Sequence, residues 1–141
     1  MPGKGDQRPT LQEETIYRPF DQLQLFDKEL VNDTVARVSN AVECAPFRKF
    51  GLYCDVEFDG TADTINLHIE VEFLDRWTSR WYTYKQGLFA ALYYEDTDTA
   101  NRIFEVFQGD VLGRAFRVKL TGIGVSDANH LHVSIGVDFW N

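Results

Sequence analysis

The sequence is short of basic residues, nearly free of cysteine and without a long apolar run, and each shortage removes a class of function. Lysine and arginine number 14 against 22 aspartates and glutamates, for a formal net charge of −8. Nucleic-acid binding draws on clustered cations that displace counterions from phosphate, and docking on an anionic membrane needs the same residues. Here they are few and scattered, so neither nucleic acid nor membrane is expected as a partner. No apolar stretch approaches the roughly 20 residues of a membrane-crossing helix. The polar opening Met1-Pro2-Gly3-Lys4-Gly5-Asp6 lacks the apolar segment of a secretory signal, so the chain reads as a soluble protein made in a cytoplasm. Two cysteines, Cys44 and Cys54, do not make a disulfide framework. Cys54 alternates with Leu52, Val56 and Phe58, which favours a buried free thiol. A Cys44–Cys54 bridge would require neighbouring strands with Cα atoms within about 7 Å.

Long helical periodicity is also missing. What is present is alternation. In residues 65–74, Ile65, Leu67, Ile69, Val71 and Phe73 alternate with Asn66, His68, Glu70 and Glu72, a period of two that sends one set to a core and the other to water. Residues 75–80 read as a polar turn, Trp81-Tyr82-Thr83-Tyr84 as a partner strand, and Leu88 to Tyr94 as its return. Residues 47–58 and 114–121 alternate in the same way. The last strand is the clearest, with Leu131, Val133, Ile135, Val137 and Phe139 inward; a terminal strand this regular is expected between neighbours inside a sheet. Residues 22–26 form a weaker first strand, and 27–42 read as extended chain with a turn. Residues 103–107 are a short strand or a single helical turn. Asp59-Gly60 is a turn signal, so residues 47–58 and 65–74 are expected to pair, directly or through a crossover.

One-sided strands, frequent turns and no crossover helices predict an all-β, antiparallel β-sandwich, jelly-roll-like, of about eight strands. At 141 residues the chain holds one domain of ordinary size. Residues 1–20 carry three of the four prolines and are mostly polar, which predicts an extended N-terminal arm preceding a sandwich at residues 21–141.

Motifs that carry chemistry are scarce. There is no Gly-x-Ser-x-Gly, P-loop or dinucleotide fingerprint, and no catalytic residue is assigned. His130 and His132 share a strand face at a spacing that suits two metal ligands, but zinc needs a third; two histidines on a solvated face are the plainer reading. Glu95, Asp96 and Asp98 lack the spacing of a calcium loop and read as a hydrated turn. No metal or cofactor is therefore expected. The outward aromatics say more. Trp77 falls in a turn, Trp140 on the outward face of the last strand and Tyr53 on another outward face, and Ile16, Tyr17 and Phe20 stud the arm. Aromatics of this kind serve protein interfaces and sugar stacking, which favours binding or assembly over catalysis.

Val71-Glu72-Phe73-Leu74-Asp75 through Trp81-Tyr82 resembles the strand, turn and Trp-Tyr pair of small jelly-roll proteins of tailed-phage virions, the capsid decoration or cement proteins. Tyr93-Tyr94-Glu95-Asp96-Thr97-Asp98-Thr99 and the Gly113-Arg114-Ala115-Phe116-Arg117-Val118-Lys119-Leu120-Thr121-Gly122 strand extend the likeness, which covers residues 47–140. It implies a non-enzymatic protein of the outer capsid surface, a homo-oligomer with a trimer favoured. The major capsid protein would be its partner, with Ile16, Tyr17, Phe20, Trp77 and Trp140 as contacts. The Gly113 to Gly122 strand is also similar to carbohydrate-binding jelly rolls, and a neck, tail or baseplate component is a further alternative.

Overall fold

A computed structural model of the chain describes residues 22–60, 65–84 and 102–141. The arm expected at residues 1–20, the Leu88–Tyr94 return and the Glu95, Asp96 and Asp98 loop lie outside the described residues. Within them are nine strands: β1 (Leu23–Val31), β2 (Arg37–Val38), β3 (Val42–Glu43), β4 (Lys49–Asp59), β5 (Asn66–Leu74), β6 (Trp81–Thr83), β7 (Arg102–Asp110), β8 (Ala115–Ile123) and β9 (His130–Trp140). Most of them alternate apolar and polar side chains, so a sheet is the structure that hides the apolar set.

The strands form two antiparallel sheets. Sheet A runs β1-β9-β4-β7 and sheet B runs β2-β8-β5-β6, with β3 also paired to β8. First strand pairs with last, β2 and β3 with β8, β4 with β7, and β5 with β6. This is a two-stranded ribbon rolled up, the jelly-roll form of the sandwich. The β5–β6 hairpin occurs as the sequence implies, and β9 sits between β1 and β4. The stretch 27–42 is extended, as its turn formers suggest.

The expected pairing of residues 47–58 with 65–74 does not occur. β4 pairs with β9 and β7, whereas β5 pairs with β8 and β6 in the opposite sheet. The chain after Asp59 therefore passes between sheets. Gly60 takes φ +150°, and a Cβ there would meet Ala128 O at 2.6 Å, so the turn needs a residue without a side chain.

The inward residues of the two sheets form one core, with Leu52, Val56, Leu67, Val71, Val118, Val133 and Ile135 fully buried. At one end the core becomes aromatic. Phe50, Phe73, Phe116 and Tyr84 stack edge-on or tilted at centroid distances of 5.0–5.9 Å, a geometry that aligns ring edges with ring faces. Cys44 and Cys54 are both buried and free. Burial pushes the Cys54 thiol up to about 12, reinforced by the charge of Glu105. It pushes Cys44 up to about 11, with Arg76 pulling the other way.

Candidate functional site

The outward residues separate the two sheets. On sheet B, Glu72 on β5 lies opposite Arg117 on β8 and is almost buried, and Arg117 Nε donates to Glu72 Oε1 at 2.7 Å. Lys119 Nζ lies 3.4 Å from Glu70 and 3.9 Å from Glu72. The Arg117 guanidinium also sits 4.0 Å from the centre of the Trp81 ring. Cross-strand neighbours thus satisfy these charges.

On sheet A the register sets Tyr53 against Val106 and Gly136, and Asp55 against Phe104 and Ser134. Phe104 and Val106, on the edge strand β7, are 70% and 61% exposed. With Tyr53, Gly136 and Gln24 they line a shallow groove of about 370 Å³. The Gln22 side chain lies over Gly136, where a Cβ would meet its Oε1 at 2.6 Å. Toward the end of β9 the Tyr53 hydroxyl donates to Asp138 Oδ2 at 3.3 Å. Burial, then the Asp138 charge and this hydrogen bond, raise the Tyr53 pKa. Asp138 Oδ1 is buried and makes no hydrogen bond among the described residues.

The third feature is an end of the sandwich. Residues 44–48, 75–80 and 111–114 and the end of β9 meet there: Arg48 N donates to Trp140 O, Val111 N to Arg48 O, and Arg114 N to Leu74 O. Trp77 stands out from it, 91% exposed, on a loop that the chain fixes tightly. Asp75 N donates to Arg80 O at 2.9 Å and closes the loop. The Asp75 carboxylate accepts from Thr78 Oγ1 at 2.8 Å and from Trp77 N at 3.2 Å, which holds its pKa below the usual carboxylate range. Arg114 braces the outside, donating to Asp75 O and Thr78 O. Bonds within the loop and from Arg114 thus hold the turn, and the Trp77 side chain stands outside them.

Arg48 and Arg76 come together at this end around a pocket of about 580 Å³ that also includes Phe47, Leu112 and the Lys49–Asp110 ion pair. Arg48, Arg76 and Arg80 are exposed and form no ion pair with another described residue. The opposite end carries Asp33 and Asp127 in its loops and Asp59 at the end of β4. Three arginines without an ion-pair partner among the described residues thus lie at one end of an acidic protein.

Of the contact residues expected from sequence, Trp77 and Trp140 fall at this same end. Trp140 lies on the outer face of sheet A, as its alternation implies, with its ring 3.2 Å from where a Gly51 Cβ would be. Ile16, Tyr17 and Phe20 lie outside the described residues; β1 starts beside Val137, toward the Trp140 end of β9. His130 and His132 are partly buried on the outer face of sheet A with ring centroids 5.1 Å apart. His130 contacts Asp127 O and lies 3.5 Å from Asp59. No group of three metal-ligating side chains occurs among the described residues. Sequence reasoning missed the arginine pocket, because its members are spread over residues 45–112 and only the loop packing unites them.

Fold and site together define a jelly-roll β-sandwich that presents a fixed tryptophan and a cationic pocket at one end. No protein-family model and no curated protein matches the chain.

Proposed function

We propose that the chain is a non-enzymatic assembly protein of a virion, a capsid decoration protein that docks through the Trp77 end of its sandwich onto the major capsid protein. The observation that carries this reading is Trp77 itself. A tryptophan held almost wholly in water on a self-satisfied loop has little folding role to lose, and tryptophan is among the residue types enriched at the hot spots of protein interfaces. The jelly-roll strand order supports the reading, since virion proteins are among the proteins built on it. Fold alone fixes no function. Each docked copy, binding the assembled shell and not free subunits, would stabilise the shell by mass action.

The test is the chain's location in purified particles. Density or specific label on the outside of the head, with a trimer by native mass spectrometry, is the expected result. Label on the neck, tail or baseplate moves the protein to another virion part, and a chain absent from particles overturns the proposal. Trp77→Ala should leave the unfolding midpoint within about 0.5 kcal/mol of the parent while weakening attachment at least about tenfold.

A second reading, a carbohydrate-binding module, rests on Tyr53 and Trp140 flanking Asp138 on one outer face, since aromatic rings beside a carboxylate suit a sugar. Glycan binding lost in Tyr53→Ala and Trp140→Ala would favour it; a glycan array without hits would remove it.

A further inference from the structure

The pocket at the Trp77 end holds two arginines, Arg48 and Arg76, without carboxylate partners among the described residues, in a chain whose net charge is −8. Two of the acids at this end are committed elsewhere. Asp110 faces Lys49 Nζ, and the Asp75 carboxylate is taken by Trp77 N and Thr78 Oγ1. Arg114, the fourth arginine of this end, donates to backbone oxygens. Arg80, at the close of the same loop, adds a further cation without a carboxylate partner among the described residues. The pocket is also part apolar, with Phe47 and Leu112 in its lining and Leu112 55% exposed.

Guanidinium groups recognise oxyanions by paired hydrogen bonds. Carboxylate, phosphate and sulfate are the possible bearers. The remainder of the surface decides among them: an acidic molecule repels polyanions such as nucleic acid and anionic bilayers over most of its area. A protein segment instead brings a few carboxylates to one spot and supplies an apolar residue for Leu112 and Trp77. We propose that this pocket binds an acidic segment of a partner protein, with Arg48 and Arg76 receiving an Asp or Glu side chain and Trp77 packing on an apolar residue beside it. This deepens the assembly reading by naming the chemistry of the partner surface.

The test uses the full chain and a short synthetic peptide of Asp and Leu, compared with the same peptide carrying Asn for Asp. Binding is followed by tryptophan fluorescence, with Trp77→Phe identifying the Trp77 contribution. The Asp peptide should bind in a salt-sensitive manner, about tenfold more tightly than the Asn peptide. Arg48→Gln/Arg76→Gln should abolish that preference, and Arg48→Glu/Arg76→Glu should abolish binding with an unchanged melting temperature. Absent binding of the Asp peptide, equal binding of the two peptides, or an unchanged double-Gln variant overturns the proposal. So does tighter binding to a sulfated oligosaccharide or to phosphatidylserine vesicles.

Particle association is scored separately. If Arg48→Glu/Arg76→Glu enters particles as well as the parent, the pocket proposal falls and the assembly reading stands. If the parent chain never enters particles, the assembly reading falls and the peptide result still decides the pocket.

Discussion

The two outer faces of the sandwich follow the same period-two alternation, and both carry a cross-strand arginine–carboxylate pair, Arg117–Glu72 on sheet B and Arg102–Asp55 on sheet A. They differ in what lies beside it. On sheet B, Glu70, Glu72, Arg117 and Lys119 face one another across β5 and β8, and Trp81 covers the Arg117 guanidinium. On sheet A, Phe104 and Val106 occupy outward positions of an edge strand, and Tyr53 lies beside Val106. Alternation assigns a residue to a face. The neighbour one strand away decides whether that face is satisfied within the chain or left to contact something else.

The largest expected effect tests sheet B. Arg117→Ala leaves Glu72 nearly buried without its main partner, which should cost about 2–3 kcal/mol in urea unfolding. A loss below about 0.5 kcal/mol would show that water screens this pair as it does ordinary surface pairs and would erase the contrast. The next tests the inner side of sheet A, where Cys54 lies. Native thiols titrate near 12 for Cys54 and 11 for Cys44, whereas unfolded ones titrate near 9.0. Between those limits the native state binds more protons. The stabilisation is therefore complete below pH 9 and declines as pH rises toward the folded values. Urea midpoints should fall above pH 9, and Cys54→Ala should flatten the decline; an equal slope in that variant would mean the thiol is not held dry.

A smaller effect is expected from Gly51→Ala, whose Cβ would come within 2.8 Å of Asp138 Oδ1 and 3.2 Å of the Trp140 ring. Moving that ring should cost about 1 kcal/mol and shift the emission of Trp140. The smallest is on the sheet A groove: Phe104→Ser with Val106→Thr should change stability by no more than about 0.5 kcal/mol while reducing binding of a hydrophobic dye. A large destabilisation there would show that both side chains already serve the fold.

Much of this fold is legible in the sequence, and its limits have physical causes. β5, β8 and β9 declare themselves because their outward residues are polar, so the inward set stands out. The 103–107 stretch is ambiguous because Phe104 and Val106 are outward and apolar; Ile103, Phe104, Val106 and Phe107 together imitate one turn of helix. The pairing of β4 with β5 was a reasonable expectation from Asp59-Gly60, but a turn signal says only that the chain bends. A sandwich lets it bend into the other sheet. Trp77 was legible as an aromatic in a polar turn. The arginine pocket was not, since Arg48 and Arg76 are joined only by loop packing at the end of the sandwich.

The central place of β9 has a kinetic consequence. Residues 130–140 supply the hydrogen-bonding edge for both β1 and β4, strands that lie far earlier in the chain. During synthesis those two strands wait with open edges, and sheet A cannot close until β9 clears the ribosome. Such long-range closure is slow and leaves the waiting chain prone to wrong pairings. The charged residues on these strands, Asp27, Lys28 and Glu29 on β1 and Asp55 and Glu57 on β4, are of the kind that blunts an open strand edge.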